Sequence, residues 1–333
     1  MAEIRYRNRR AIAIENGDVR VTVLVEGGHI AEIAHKATAV NPLWTPPWPS
    51  IEPSTYSRAK NPEYGADAES KLLSGLMGHN LALDLFGGPS AEEAAAGITV
   101  HGEASVLPWS IRADGRELTA VVEMPAAQLR CERRIGLGTS RVLISEMVEN
   151  LSALDRPVAW TQHVTLGPPF LERGATQFRA PGTRSRTIAG VDFDWPRDLQ
   201  VYTSAESSSG FSTHLMDPHR ERAFFFAWSP KSRVVFGYVW ARSDFPWLGV
   251  WDENHSRKQP PWNGVTMTRG MEFGASPFPE PRRKMIERNG LFGVPGYRWI
   301  PARTKVHVDY YAFVATAKSI PETLEELEIH VPA

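Results

Sequence analysis

Short stretches in which apolar and polar residues alternate recur along the chain. The first runs through Val19, Val21, Val23 and Val25 and stops at Gly27-Gly28. Similar stretches lie at 129–135, 142–148, 234–240 and 306–310, with 26 glycines and 26 prolines scattered through the sequence. A period of two is typical of strands, because it places every second side chain on one face. The chain is therefore predicted to be predominantly β, with many strands joined by turns.

Two short helices and three long loops interrupt this pattern. Ser90 and Glu93 have the spacing of a capping box before Ala94–Ala96, and Ser319 and Glu322 repeat that spacing before Leu324 and Leu327. The loops are predicted at 41–61, 252–264 and 276–296. Long irregular loops on a β scaffold are often functional. We expect them to supply the wall of a pocket.

Composition narrows the class of protein. The 333 residues are 42% hydrophobic and 23% charged, which is typical of a globular protein, and no linker or internal repeat divides them. One domain over residues 1–333 is the simpler interpretation. The 37 Lys and Arg residues nearly balance the 38 Asp and Glu residues, giving a net charge of −1. We therefore expect no nucleic-acid or membrane partner, and a small neutral ligand instead.

Cysteine content and the N-terminal residues indicate the compartment. Cys131 is the only cysteine, so an intrachain disulfide is excluded. The first ten residues are Arg-rich and contain no apolar stretch typical of a signal peptide. These features favour the cytoplasm. The content of 11 tryptophans is the unusual feature of the composition. Indole rings commonly stack on apolar ligand faces, so some of them are candidates for ligand contacts.

Two histidine segments are candidates for chemistry. His101 directly precedes Gly102, which would allow the backbone to approach a ligand closely. Taken alone, a histidine here is more often a surface or hydrogen-bonded core residue. On a strand, His163 would share a polar face with Thr161 and Thr165. That face would line a cleft or face solvent, and the pattern favours neither.

Glu272 is the third candidate. It lies between Met271 and Phe273, and apolar surroundings raise the pKa of a carboxyl group toward the range useful for proton transfer. The alternative is a strand glutamate paired with Arg269. The acidic cluster at 251–255 is most simply a solvated turn.

Other classes of site lack their usual signals. His79 with Asp84, or His214 with Asp217 and His219, has no spacing typical of a metal site. The sequence contains no G-x-S-x-G, no P-loop and no dinucleotide-binding G-x-G-x-x-G. A phosphate site would need clustered basic residues such as those at 282–284, which a solvated face explains more simply.

Read together and in order, the segments resemble the galactose mutarotase-like superfamily, in particular the aldose 1-epimerases and hexose-6-phosphate epimerases. The resemblance rests on the opening strand with its Gly-Gly turn and Asn41-Pro42-Leu43-Trp44, on His101-Gly102-x-Ala104 with Trp109, on Glu149–Ser152 followed by His163, and on the late Glu272. It implies an all-β fold, a large antiparallel β-sandwich with a few short helices.

The resemblance also implies a function: the interconversion of sugar anomers by ring opening and closing. Glu272 would be the base, His163 the acid, and His101 would hydrogen-bond near the ring oxygen. No metal or redox cofactor is expected for this chemistry, and the partner would be a small-molecule sugar. A carbohydrate-binding or sensing protein without catalytic activity is the alternative. The implied sugar contacts are Trp44, Arg58, His79, Trp109, Trp251, Asp252 and Arg269, with Asp198 and Asp217 as other choices for the acidic contact.

Overall fold

The computed structural model describes residues 3–195, 199–201 and 206–331. Strands are the predominant regular structure of the described chain, in agreement with the prediction. In chain order these strands are β1 (Ile4–Tyr6), β2 (Arg9–Glu15), β3 (Val19–Leu24), β4 (Ile30–His35), β5 (His79–Asp84), β6 (Ser110–Asp114), β7 (Glu117–Met124), β8 (Leu129–Leu137), β9 (Arg141–Asn150), β10 (Arg156–Leu166), β11 (Gln177–Arg179), β12 (Gly182–Thr187), β13 (Asp192–Asp194), β14 (Ser208–Met216), β15 (Arg222–Ser229), β16 (Val234–Ala241), β17 (Trp247–Asn254), β18 (Met267–Gly274), β19 (Gly290–Leu291), β20 (Val294–Pro295), β21 (Arg298–Ile300) and β22 (Lys305–Thr316).

Short helices lie between and after these strands. The α-helices in the described residues are α1 (Ser70–Leu73), α2 (Ala91–Ala95), α3 (Arg282–Arg288) and α4 (Leu324–His330), and 3-10 turns lie at Pro53–Thr55, Pro62–Tyr64 and Glu103–Ser105. None of the helices in the described ranges is long and apolar enough to cross a bilayer.

Two large antiparallel sheets make up the described fold. The first has the order β1-β2-β3-β4-β5-β10-β18-β17-β14-β12-β13, with β21 paired to β10. The second has the order β11-β15-β16-β22-β9-β8-β7-β6. Buried apolar residues of both sheets, such as Val164 and Met271 of the first and Ile144 and Val314 of the second, form one core. The all-β sandwich is therefore confirmed.

A buried polar network links the two sheets inside this core. The Arg133 Nε of β8 donates to Glu146 Oε1 of β9 at 2.7 Å, and both side chains are fully buried. Trp160 and Gln162 of β10 donate to the other oxygen of Glu146 at 2.9 and 2.6 Å. The hydroxyl of Tyr310 donates to Glu146 Oε1 at 2.9 Å. Buried charges are tolerated when they are paired and hydrogen-bonded in this way, and the network fixes β10 against the second sheet.

The helix predicted after Ser90 is confirmed, whereas the helix predicted near the C-terminus begins at a different capping residue. Ser90 caps α2, and the capping box with Glu93 is formed. Near the C-terminus the cap is Thr323, whose side chain accepts from the Glu326 N–H, so the predicted cap at Ser319 was wrong. Thr323 lies directly before the first helical residue, which is the position a cap requires.

The loop predictions need two corrections. Strand β17 continues to Asn254, so the second loop begins later than residue 252, and the segment 251–254 is strand and not a solvated turn. The predicted loop 276–296 contains α3 and the β19-β20 hairpin. No side chain caps α3, which explains why the sequence carries no start signal for it.

Candidate active site

His163 and Glu272 lie directly opposite each other on the neighbouring strands β10 and β18. Their side chains project from the face of the first sheet that is turned away from the second sheet, while Val164, Met271 and Phe273 point into the core. His163 Nε2 lies 3.1 Å from Glu272 Oε1. That oxygen is buried and takes no hydrogen bond from the described residues. On its other side, His163 Nδ1 lies 3.1 Å from Thr165 Oγ1.

His101 reaches the same place from a tight turn beside β5. Its ring centre lies 4.7 Å from that of His163, and its Nδ1 lies 3.3 Å from the amide nitrogen of Asn80. Gly102 follows with φ of 77°, and a Cβ there would lie 1.8 Å from the carbonyl oxygen of Leu83. Only glycine therefore allows the turn to pack against β5 and hold His101 in this position.

Burial shifts the pKa values of this trio in opposite directions. Desolvation raises the pKa of Glu272 well above its usual value, which is the predicted direction, although the flanking Met271 and Phe273 point into the core on the other face of the sheet. Desolvation lowers the pKa of His163 to about 4. The pKa of His101 is lowered well below its usual value, first by burial and then by the neighbouring His163. Burial thus disfavours the charged form of both groups, and in this pair it favours a proton on the Glu272 carboxyl group over one on His163.

These three side chains line a cavity of about 410 Å³. Aliphatic side chains of the α1 region and Val100 form part of its wall, and aromatic side chains of β14, β17, the 255–264 loop and the segment after β5 form another part. A cavity of this size, lined mainly by apolar groups with a few convergent polar ones, is typical of a small-molecule site. The aliphatic members include Leu72, Leu73, Leu76, Val100 and Ile188, and the aromatic members are Phe86, Phe211, Trp251 and Trp262.

A larger depression of about 640 Å³ lies at the second sheet. Its ionisable lining residues include Arg134 and Asp309, whose side chains are 71% and 70% exposed. It has no buried acid and base in contact. The smaller cavity at Glu272 is therefore the candidate active site.

Trp251 is the predicted sugar-contact residue that the structure brings to this cavity. Its ring centre lies 6.2 Å from that of His163. The Arg257 guanidinium lies over the rings of Trp262 and Trp251, at 4.7 and 5.5 Å from their centres. Arg257 Nη1 is paired with Glu69 Oε2 at 3.0 Å. The sequence did not single out Arg257 or Glu69, although Arg257 lies in the 252–264 loop that was expected to form a pocket wall.

Two other predicted tryptophan contacts are buried away from the cavity lining. Trp44 stacks on Trp262 with ring centres 6.0 Å apart, so it supports the wall from behind. Trp109 Nε1 donates to the Ala104 carbonyl at 2.9 Å, and its ring packs on Gly28.

His79 and Arg58 also lie outside the lining. His79 is enclosed in the core, between Tyr238 and Gln162, each at 2.9 Å. Arg58 is exposed on the 41–61 loop.

Asp252 and Arg269 form an ion pair on the core side of the first sheet. Arg269 Nε donates to Asp252 Oδ1 at 2.7 Å, and the guanidinium lies over the Phe178 ring. Arg269 is three residues from Glu272 on one strand, so the two side chains lie on opposite faces. The alternative in which Glu272 pairs with Arg269 is therefore wrong.

The other acidic and basic residues named from the sequence lie away from the cavity lining or outside the described residues. Asp217 pairs with Arg220 at 3.4 Å and does not line the cavity, and Asp198 lies outside the described residues. Arg282 of the basic cluster contacts Asp84 and Glu93, at 2.6 and 3.1 Å. No group of three or more His, Cys, Asp or Glu in the described ranges is placed to hold a metal ion.

Comparisons with known proteins identify the fold. No protein-family model matches the chain, and no curated protein matches its sequence. Solved structures do match. A candidate aldose 1-epimerase from Klebsiella pneumoniae superposes with a TM-score of 0.72 at 14% identity, covering 93% of this chain and 80% of the other. A galactose mutarotase-like protein from Clostridium acetobutylicum gives 0.64 at 12% identity, covering 95% and 98%.

A candidate aldose 1-epimerase from Escherichia coli also superposes on this chain, with a TM-score of 0.64 at 12% identity, covering 92% of this chain and 99% of the other. The chain therefore has the galactose mutarotase-like fold, as its ordered motifs indicated. At this level of identity the likeness establishes the fold and leaves the activity to be argued from the site.

Proposed function

We propose that the protein is an aldose 1-epimerase-like enzyme that interconverts the anomers of a sugar in the cavity at Glu272. The observation that carries the proposal is the buried Glu272–His163 contact of 3.1 Å at the floor of a sugar-sized cavity. In the proposed resting state this pair holds one proton, so it contains one acid and one base. Ring opening of a hemiacetal needs both at once.

In the proposed reaction Glu272 takes the proton of the C1 hydroxyl. The O–H electron pair then forms the C1=O1 double bond, the bond from C1 to the ring oxygen breaks, and the ring oxygen takes a proton from His163. Rotation about the C1–C2 bond presents the other face of the carbonyl. The ring hydroxyl attacks this face, returns its proton to His163, and O1 recovers its proton from Glu272. Each group is thus restored after one turnover.

Substrate binding moves the proton from Glu272 to His163, which ring opening in this scheme requires. In the cavity without sugar, burial favours the proton on Glu272. Sugar hydroxyls that donate to the carboxylate stabilise its charged form and lower its pKa. The proton then passes to His163 over the 3.1 Å separation. His101, with its ring close to that of His163, is proposed to hydrogen-bond near the ring oxygen, and Trp251 to stack on the C–H face of the sugar.

The experiment is anomer exchange followed by NMR across a panel of free and phosphorylated aldoses. Glu272→Gln and His163→Ala are each expected to slow exchange by about 10²–10⁴-fold, because each removes the acid or the base. The matched controls are Glu287→Gln and His307→Ala, whose parent side chains are 60% and 55% exposed. The controls should exchange at the wild-type rate.

Two results would contradict the proposal. Wild-type protein that accelerates no sugar of the panel would exclude the reaction, and Glu272→Gln protein as fast as wild type would exclude this site. Quenching of tryptophan fluorescence by sugars without any exchange would indicate the carbohydrate-binding or sensing alternative.

A further inference from the structure

The lining of the cavity combines polar and aliphatic side chains. Its acid–base groups, His101, His163 and Glu272, lie close together. An aliphatic part of the wall consists of Leu72, Leu73, Leu76 and Val100, which pack with Trp262 in one cluster. A sugar that fills the cavity therefore has part of its surface against aliphatic carbon.

The cation at this cavity is already neutralised. Arg257 is paired with Glu69 at 3.0 Å, and its Nε lies 3.7 Å from Glu253. Its guanidinium is held over Trp262 and Trp251. With two carboxylates beside one guanidinium, the described lining of the cavity offers no excess positive charge to a phosphate or a carboxylate of the substrate. A neutral ligand fits this charge balance.

The aliphatic wall discriminates between a hydroxyl and a hydrogen or methyl group. Aliphatic side chains, unlike tryptophan, present neither an aromatic face nor a polar atom to a sugar. A hydroxyl pressed against them loses its hydrogen bonds to water and gains none in return. A C–H or methyl group at the same place buries apolar surface and is favoured.

On the basis of the proposed function, we propose that the substrate is a neutral deoxyaldose, whose missing hydroxyl faces the wall formed by Leu72, Leu73, Leu76 and Val100. The acid–base groups act on the hemiacetal, which every aldose has. The wall selects among aldoses, because it favours the ring that carries a hydrogen or methyl group on that side.

The test compares sugars that differ by one hydroxyl. The pairs are L-fucose with L-galactose, L-rhamnose with L-mannose, and 2-deoxy-D-glucose with D-glucose, and a C6 series adds 6-deoxy-D-glucose and D-glucose 6-phosphate. Catalysed anomer exchange is measured by NMR as kcat/KM for each sugar. In at least one pair, the deoxy sugar is expected to exceed its partner by about tenfold to a hundredfold, the discrimination an apolar pocket achieves against an added hydroxyl.

The outcomes separate this inference from the proposed function. Exchange that is as fast or faster for the hydroxylated member of every pair, or fastest for the phosphate, overturns the deoxyaldose inference and leaves the mutarotase proposal standing. If no sugar is exchanged, the mutarotase proposal fails, and fluorescence titration of the same pairs decides the rest. Tighter binding of a deoxy sugar then supports the selectivity of the wall, and equal or weaker binding overturns it.

A matched variant tests the wall itself. Val100→Thr replaces a methyl group of the lining with a hydroxyl of similar size and so offers a hydrogen bond to a sugar hydroxyl. The preference for the deoxy sugar is expected to shrink by about fivefold or more. Val265→Thr, at a position 59% exposed, is the control and should keep the wild-type preference. An unchanged preference in folded Val100→Thr protein would contradict the assignment of the wall, and the wild-type comparison stands by itself if that variant does not fold.

Discussion

Gly270 is the residue that leaves room for the Glu272 carboxylate. It lies two positions before Glu272 on β18 and on the same face, and a Cβ added there would lie 2.2 Å from Glu272 Oε1. Gly270→Ala therefore has to displace the carboxylate from its place beside His163. Since a misplacement of about 1 Å can cost on the order of 10²-fold in rate, we expect kcat for anomer exchange to fall by about tenfold to a hundredfold.

The control for this variant is Gly136→Ala on β8, where an added Cβ has open space around it. Anomer exchange measured by NMR for both variants, with urea unfolding as a check on stability, gives the comparison. Equal kcat values for Gly270→Ala, Gly136→Ala and wild type would show that the position of the Glu272 carboxylate does not limit the reaction.

At the residue scale, alternation along a strand carries more information than residue type. It places His163 on the face of Thr161 and Thr165, as the structure has it. The family resemblance implied Asp252 and Arg269 as sugar contacts. Asp252 lies one residue from Trp251 and Arg269 lies three residues from Glu272, so alternation along each strand places both on the core side, where they pair with each other. Their pairing across two strands depends on sheet order, which a local pattern does not contain.

At the scale of elements, Glu146 connects three strands and both sheets. It accepts from Arg133 and from Trp160 and Gln162 of β10, the strand that carries His163. Glu146→Gln would leave the Arg133 guanidinium buried without a counter-charge. Removing one partner of a buried ion pair costs about 3–5 kcal/mol. We expect the free energy of unfolding, measured with urea, to fall by that amount.

The comparison for this effect is an exposed ion pair. Glu287 pairs with Arg283 at 2.8 Å, and their side chains are 60% and 87% exposed. Glu287→Gln is expected to change the free energy of unfolding by less than about 1 kcal/mol, because water screens such pairs. If the two variants lost the same small amount, the Glu146 network would not hold the sheets together.

The elements that the sequence predicted are those specified by local patterns. The alternating stretches became β3, β8, β9, β16 and β22, and the capping box at Ser90 became the start of α2. Helices α1 and α3 have no side-chain cap and were missed. The first of them supplies Leu72 and Leu73 to the cavity wall. The sequence therefore indicated the proposed acid–base residues but not the α1 side chains that line the cavity with them.

At the scale of the whole molecule, the chain shares its fold with solved structures to which it is only 11–14% identical in sequence. A sandwich core tolerates exchange of apolar residues as long as the pattern of buried positions is kept. His101, His163 and Glu272 meet because β10 and β18 are neighbours and the Gly102 turn packs on β5. The single domain over residues 1–333 and the cytoplasmic location stay predictions.

Buried histidines make the stability of the whole molecule depend on pH. His29, His79, His101, His163 and His214 are shielded from water in the fold, and desolvation lowers the pKa of each, to about 3 for His29 and His214 and to about 4 for His163. The unfolded chain binds protons at these positions from about pH 6.5 downward, while the folded protein does not. Their contribution to stability is therefore present above pH 6.5 and is lost as the pH falls toward the folded pKa values.

Each of these histidines costs about 1 kcal/mol between pH 6.5 and 5.5. Burial raises the pKa values of Glu272 and Glu103, which oppose part of this loss, because the folded protein keeps protons there that the unfolded chain releases. With five histidines against two carboxyl groups, we expect a net loss of about 2–4 kcal/mol in the free energy of unfolding. The measurement is the urea midpoint at both pH values and constant ionic strength.

A pair of variants assigns the effect to the buried rings. His214 lies between the hydroxyls of Ser185 and Ser212, at 2.7 and 3.0 Å, and His214→Asn keeps a polar group there that does not titrate. Its urea midpoint should fall less between the two pH values than that of wild type, whereas His307→Asn, at a position 55% exposed, should behave as wild type does. A wild-type midpoint that stays constant or rises on acidification would mean that these histidines are protonated in the folded protein, and the neutral state proposed for the resting His163 would fail with it.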